Sequence, residues 1–102
     1  YNPVLKFPSI KRDLSLLINQ SVSFGDIKKS IRSLNIDLLR HIDLFDVYVG
    51  DHIEKNKKSY SLSFLFQHNE RTLTDDEIDK EMKRIYEVLN TELDIILREG
   101  EL

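Results

Sequence analysis

Few side chains in this sequence have the types and spacing that catalysis requires. The histidines His41, His52 and His68 have no metal-binding residue three or four positions after them, and cysteine is absent. A metal site, a thiolate nucleophile and a disulfide scaffold are therefore not predicted. The pair Asp75-Asp76 fits the acidic first turn of a helix better than an acid–base couple.

The spacing of the glycines likewise argues against a phosphate-binding loop. Gly25, Gly50 and Gly100 are isolated from one another, whereas a phosphate-binding loop needs several glycines close together. The glycine-flanked serine of a nucleophile elbow is also missing. The sequence thus predicts no catalytic residue, metal or cofactor in this domain.

The first elements follow from the hydrophobic pattern. Residues 13–19 alternate apolar and polar side chains, which predicts a half-buried strand. Apolar residues at helical spacing then continue to Leu34, with Ser23 as N-cap and Asp26 as the partner in a weak capping box. Asn35 is suited to the left-handed conformation that closes a helix.

The second predicted strand, residues 38–49, breaks its alternation once. Ile42 and Leu44 share one phase of the alternation, and Phe45, Val47 and Val49 share the other. A bulge near Leu44-Phe45 would bring both groups to the core, so Phe45, Val47 and Val49 are expected to face it.

The remaining elements have clearer signals. Residues 58–67 alternate aromatic or aliphatic side chains with serines, as a strand with one buried face does. A helix follows, capped by Thr74 with Glu77 completing a full capping box. A short strand over residues 94–98 ends the pattern.

The order strand–helix–strand–strand–helix–strand favours an α+β fold. It predicts a ferredoxin-like two-layer sandwich, βαββαβ, with an antiparallel sheet and both helices on one face. The 102 residues fit a single domain, residues 1–102. Because the chain opens at Tyr1 and its one methionine is Met82, we expect a fragment of a longer chain.

Charge is unevenly distributed along the chain. Residues 1–71 hold 11 Lys/Arg and 8 Asp/Glu, whereas residues 72–102 hold 4 and 10, which gives the net charge of −3. This balance argues against non-specific binding to a nucleic-acid backbone but not against recognition of a few exposed bases. No apolar run approaches the roughly 20 residues of a membrane span, and no signal peptide is recognisable.

The sheet face opposite the helices is the predicted binding surface. Its side chains are those out of phase with the apolar ones: Asp13, Ser15, Leu17, Asp46, Tyr48, Ser61, Ser63, Leu65 and Arg98. Small side chains, an aromatic ring and a guanidinium can accept a splayed-out RNA base. Alternatively, Tyr48 completes the core, Asp13 neutralises Arg12 and the serines form a solvated face. Serines on the third strand disfavour the RNA-recognition module, which has aromatic residues there.

Four segments, in order, resemble those of one family. They are Phe7-Pro8-Ser9-Ile10-Lys11-Arg12-Asp13-Leu14-Ser15, Leu44-Phe45-Asp46-Val47-Tyr48, Lys57-Lys58-Ser59 and Glu70-Arg71-Thr72-Leu73-Thr74-Asp75-Asp76-Glu77. Over residues 5–98 the chain resembles the ferredoxin-fold anticodon-binding domain, which forms the C-terminal end of the bacterial phenylalanyl-tRNA synthetase beta subunit. Residues 99–102 extend past the family's usual end, and no role is assigned to them.

The resemblance implies binding of the tRNA anticodon stem-loop by a domain that is not itself an enzyme. Activation of the amino acid would occur elsewhere in a class II phenylalanine-tRNA ligase, which uses ATP and Mg²⁺ in the cytoplasm. The implied partners are phenylalanine tRNA, the alpha subunit and the rest of the beta subunit, with no membrane, and the isolated domain is expected to be monomeric. Together with the open sheet face, the resemblance selects the RNA-binding candidates Arg12, Asp13, Ser15, Tyr48, Ser61, Ser63 and Arg98.

Two other functions are compatible with the predicted fold. A small-ligand regulatory or protein-interaction module would need paired copies and a glycine-rich loop after the first strand, but residues 19–23 contain no glycine. An acylphosphatase-like hydrolase would need an arginine at that junction, and none occurs between Arg12 and Arg32.

Overall fold

The order of the elements matches the sequence prediction. A computed structural model describes residues 8–50, 53 and 55–100, with only the backbone at residues 99 and 100. Its elements are β1 (Ile10–Asn19), α1 (Phe24–Arg32), β2 (Leu39–Tyr48), β3 (Lys57–Phe66), α2 (Asp75–Leu93) and β4 (Ile96–Gly100). The strand order in the sheet is β2-β3-β1-β4, with antiparallel neighbours, which confirms the ferredoxin-like α+β fold. Phe7, His52 and residues 101–102, considered above, lie outside the described residues.

One hydrophobic core lies between the sheet and both helices. Alternate side chains of β1 and β3 enter it, and they pack with one stripe of each helix. The buried members include Leu14, Leu16, Ile18, Leu62, Phe64 and Phe66 from the strands, and Ile27, Ile31, Ile78, Met82, Ile85 and Leu89 from the helices. Because α1 and α2 bury their apolar stripes in the same cluster, they cover one sheet face and leave the other without a covering layer.

Capping bonds differ between the two helices. Ser23 Oγ accepts from the Asp26 N–H at 3.1 Å and the Asp26 carboxylate accepts from the Ser23 N–H at 3.0 Å, so the capping box expected to be weak is complete. Thr74 Oγ1 accepts from the Glu77 N–H at 3.2 Å. The Glu77 carboxylate also accepts from Arg71 Nη1 at 2.7 Å. The pKa of Glu77 is lowered mainly by this charge-assisted bond and to a smaller extent by hydrogen bonding with the Thr74 side chain and backbone, so at this cap the carboxylate is shared with arginine.

The boundaries of several elements differ from those predicted. β1 begins at Ile10, before the expected residue 13, because its first residues pair with the end of β3. α1 ends at Arg32, before the expected Leu34, with Ser33 as its C-cap, and Asn35 has the predicted left-handed conformation, with a φ of 52°, three residues beyond the helix. Asp94, with a φ of 59°, is the C-cap of α2. β4 consequently begins at Ile96 instead of residue 94.

β2 contains the predicted bulge but does not bury all of its apolar residues. Phe45 is the extra residue between Leu44 and Asp46 in the pairing with β3. Phe45, Val47 and Val49 are 57%, 50% and 58% exposed, so the expectation that they face the core is wrong. The nine residues of α1 span about 13 Å, whereas the ten residues of β2 span about 33 Å. Since β2 is an edge strand, the shorter helix leaves this corner uncovered.

Candidate nucleic-acid interface

The sheet face without a helix layer, called the open face below, carries its side chains in rows. Cross-strand pairing places residues of neighbouring strands side by side. From one end of the sheet to the other, the rows are Asn19 and Lys57; Tyr48, Ser59, Leu17 and Ile96; Asp46, Ser61 and Ser15; Asp43, Ser63 and Asp13; and His41, Leu65 and Lys11. Five of the seven predicted site residues therefore lie in these rows. Arg98 is the sixth on this face, because it contacts Tyr48 and Ser59.

Serines of β3 form a floor along the middle of the open face. Ser59, Ser61 and Ser63 are only 2%, 9% and 8% exposed, although no helix covers them. Ser15 Oγ lies 2.9 Å from Ser61 Oγ, a hydrogen bond between two neighbouring strands. These serines are therefore not the solvated face considered as an alternative. Their small side chains allow a planar ligand to approach the sheet closely.

Tyr48 and Arg98 come from the two edge strands and meet above this floor. Arg98 Cζ lies 5.8 Å from the centroid of the Tyr48 ring, and Arg98 Nη1 donates to Ser59 Oγ at 3.3 Å. Arg98 lies at a bulge in the pairing of β1 with β4, which accounts for its departure from simple alternation. Tyr48 is 38% exposed, so the alternative in which Tyr48 completes the core is wrong.

Arg12 lies away from the open face. It precedes Asp13 in a strand, so its side chain points to the side covered by the helices. Arg12 Nη2 donates to Asp75 Oδ1 at 3.1 Å and lies 4.0 Å from Asp79 Oδ1, both on α2. The placement of Arg12 among the open-face candidates is therefore wrong, and so is the alternative that Asp13 neutralises it.

Several residues of the open face were not selected from the sequence, among them Ser59, His41 and Asp43. Ser59 contacts Arg98 and lies two positions before Ser61, so the period of two along a strand already places it on the same face. His41 Nε2 lies 2.8 Å from Asp43 Oδ1, within hydrogen-bond distance. The signal for them was the alternation of Ile42 and Leu44, which assigns the intervening residues to the opposite face.

Acceptors outnumber cations on the open face. Asp13, Asp43 and Asp46 lie in its central rows, whereas the cations Lys11, Lys57 and Arg98 lie nearer its two ends. Carboxylates repel phosphates but accept hydrogen bonds from the amino groups of bases. Stacking on the exposed ring of Tyr48 and hydrogen bonding to carboxylates and hydroxyls suit a base better than a phosphate.

The described residues were also compared with the requirements of a metal site and of a membrane-spanning helix. Among the described residues, no group of three or more His, Asp or Glu side chains is arranged to hold a metal ion. In that part of the chain, no helix is both long and apolar enough to cross a membrane.

The fold and the open face define a ferredoxin-like α+β domain with an exposed sheet surface suited to binding. Residues 6–98 match the model of the ferredoxin-fold anticodon binding domain, and the chain belongs to that family. The family inferred from the four sequence segments is thereby confirmed.

Several similar proteins share one name. Phenylalanine–tRNA ligase beta subunits from Bacteroides thetaiotaomicron, Legionella pneumophila and Francisella tularensis are 44%, 40% and 38% identical over 98, 100 and 95 residues. The matched regions cover 96%, 97% and 93% of this chain but 12%, 13% and 12% of the respective relatives. The chain therefore spans about an eighth of the length of these relatives.

Proposed function

We propose that this chain is the tRNA anticodon stem-loop-binding domain of a phenylalanine–tRNA ligase beta subunit, and that its open face binds the RNA. The observation that carries the proposal is the meeting of Tyr48 and Arg98 above buried Ser59. Membership of an anticodon-binding family and similarity to ligase beta subunits support the choice of RNA.

Each group on the open face has a separate part in the proposed binding. An unstacked base packs on the exposed Tyr48 ring, which contributes about 1–3 kcal/mol per base. Arg98 stacks on the base or donates to its edge, held in place by its bond to Ser59. The short side chains of Ser15, Ser61 and Ser63 let the base approach the sheet. Asp13 and Asp46 accept hydrogen bonds from the amino groups of bases.

The proposed role of the domain is binding alone. The parent ligase would use ATP and Mg²⁺ to charge phenylalanine tRNA in the cytoplasm, with the reaction in its other domains. Its alpha subunit and the remainder of the beta subunit would be the protein partners, and the isolated domain would be a monomer.

A titration of the isotope-labelled chain with the anticodon stem-loop of phenylalanine tRNA tests the site by NMR. We expect the amide shifts to concentrate on β1, β2 and β3 around Tyr48 and the serine floor. Shifts confined to α1 and α2 would overturn the assignment to the open face.

Substitution of Tyr48 tests the stacking directly. Tyr48→Ser should weaken RNA binding by about tenfold, since a lost base stack costs about 1–3 kcal/mol. Tyr48→Phe is the matched control, because it keeps the ring and should bind within about twofold of the original chain. Equal binding by Tyr48→Ser and the original chain would exclude a stacked base at this position.

A further inference from the structure

A groove at the edge formed by α1 and β2 lies outside the open face and is rich in positive charge. It has a volume of about 420 Å³ and lies between the C-terminal part of α1 and the first residues of β2. Lys28, Arg32 and Arg40 supply its cations, and Asp37 is its one carboxylate. His41 also lines the groove, but it is paired with Asp43.

The three cations are available to an anion. Within the described part of the chain, none of them forms an ion pair, whereas Arg12, Arg71 and Arg84 all pair with carboxylates. Lys28 Nζ lies 5.0 Å from the centroid of the Phe24 ring. Arg40 uses Nε to donate to the Gln67 carbonyl oxygen at 2.8 Å, which orients its guanidinium. Several positive charges around a concave site attract a negatively charged ligand.

We infer that this groove binds backbone phosphates of the same RNA whose bases occupy the open face, an inference that rests on the proposed function. The carboxylates in the central rows of the open face repel phosphates, whereas the groove brings three cations together with one carboxylate. A guanidinium matches the geometry of a phosphate with two parallel hydrogen bonds, and the groove carries two of them.

β2 connects the two sites. Tyr48 lies at its last residue on the open face, and Arg40 lies near its first residue at the groove. Their separation along the strand is about 25 Å, which several nucleotides of an RNA loop and stem can span. His41 lines the groove and also belongs to the last row of the open face, so the two surfaces are continuous around this edge.

The salt dependence of RNA binding tests the inference. Each phosphate contact contributes about 0.7–0.9 to the slope of log affinity against log salt concentration. Replacing Lys28, Arg32 and Arg40 together by glutamine should lower the slope for the anticodon stem-loop by about 2. The loss of affinity should then be about 100-fold greater at about 0.1 M salt than at about 1 M salt.

Two matched variants separate the groove from the rest of the molecule. Lys29 is exposed on the same helix but does not line the groove, so Lys29→Gln should leave the slope almost unchanged. Tyr48→Ser removes stacking without removing charge, so it should weaken binding by a similar factor at every salt concentration. If the triple variant does not fold, Arg32→Gln alone should lower the slope by about 0.7.

The outcomes distinguish this inference from the proposed function. If the original chain binds RNA and Tyr48→Ser weakens it, but the groove variants keep the original slope, the groove inference alone is overturned. Shifts at Arg40 with inorganic phosphate, combined with an unchanged RNA slope, would assign the groove to a free anion and also overturn the inference. Failure of the original chain to bind the stem-loop would overturn both proposals.

Discussion

Gly50 lies so close to Tyr48 that a Cβ at residue 50 would come within 2.8 Å of the tyrosine oxygen and 3.0 Å of its Cζ. The absence of a side chain at Gly50 thus leaves the space that the Tyr48 ring occupies. We expect Gly50→Ala to push the ring from its position beside Arg98. RNA affinity should fall by about threefold to tenfold, because part of the base stacking is lost. Fluorescence anisotropy with a labelled stem-loop measures the affinity, and the ring resonances of Tyr48 report its position.

Gly25 provides the matched control for this change. A Cβ there would meet Ser23 Oγ at 3.5 Å, an ordinary contact, so Gly25→Ala should fit within α1. It should leave RNA affinity unchanged and stabilise the helix by roughly 0.5–1 kcal/mol. Original affinity and unchanged ring resonances in Gly50→Ala would show that the close approach does not control the Tyr48 ring.

The hydroxyl pair of Ser15 and Ser61 should show energetic coupling. Because the two Oγ atoms lie 2.9 Å apart and are partly buried, either single change to alanine leaves one hydroxyl without its partner. Each single variant should lose about 1 kcal/mol of unfolding free energy, and the double variant should lose clearly less than the sum. Urea denaturation of all four proteins measures the coupling. Strictly additive losses would mean that this hydrogen bond contributes no stability.

The contact between Arg12 and Asp75 should affect stability and not RNA binding. Arg12 Nη2 donates to Asp75 Oδ1 at 3.1 Å, and the Arg12 side chain is only 19% exposed. Asp75 is largely exposed, so Asp75→Asn should cost less than about 1 kcal/mol. Arg12→Gln should cost more, because it also removes the packing of the buried stem against the helix layer.

RNA titrations of the same variants test the placement of Arg12. Both should bind the stem-loop within about twofold of the original chain under conditions where they remain folded. A folded Arg12→Gln variant with strongly weakened binding would contradict the assignment of Arg12 to the helix side of the sheet.

The fold could be predicted because its signals are local. Alternation in β3 and the caps at Ser23 and Thr74 depend on residues within a few positions of one another. The bulge in β2 was also predictable, since the apolar phase changes at Leu44-Phe45. The exposure of Val47 was not, because it depends on how far α1 extends over the sheet, and that is a tertiary property.

Only part of the site could be predicted for the same reason. Strand alternation correctly placed Ser15, Ser61 and Tyr48 on one face. Arg12 was assigned to the open face by its position within a family segment, although alternation with Asp13 already placed it on the opposite side. The meeting of Tyr48 with Arg98 could not be predicted, because the two residues lie on opposite edges of the sheet and a bulge precedes the contact.

Stability should depend on pH through the capping box of α1. The backbone N–H of Ser23 donates to the Asp26 carboxylate, and this bond, with a smaller contribution from the Ser23 side chain, lowers the pKa of Asp26 below its ordinary value of 3.8. A carboxylate with a lowered pKa in the folded state stabilises the protein above its unfolded pKa. That contribution is lost as the pH falls through the folded pKa.

Asp26→Asn should therefore be less stable than the original chain at about pH 6, and this difference should shrink as the pH falls below about 3.8. Asparagine keeps an oxygen that can accept from the Ser23 N–H but lacks the charge that strengthens the bond. Urea denaturation at about pH 6 and about pH 3 measures the difference in unfolding free energy. A difference between Asp26→Asn and the original chain that stays constant with pH would show that the capping bond does not depend on the charge of Asp26.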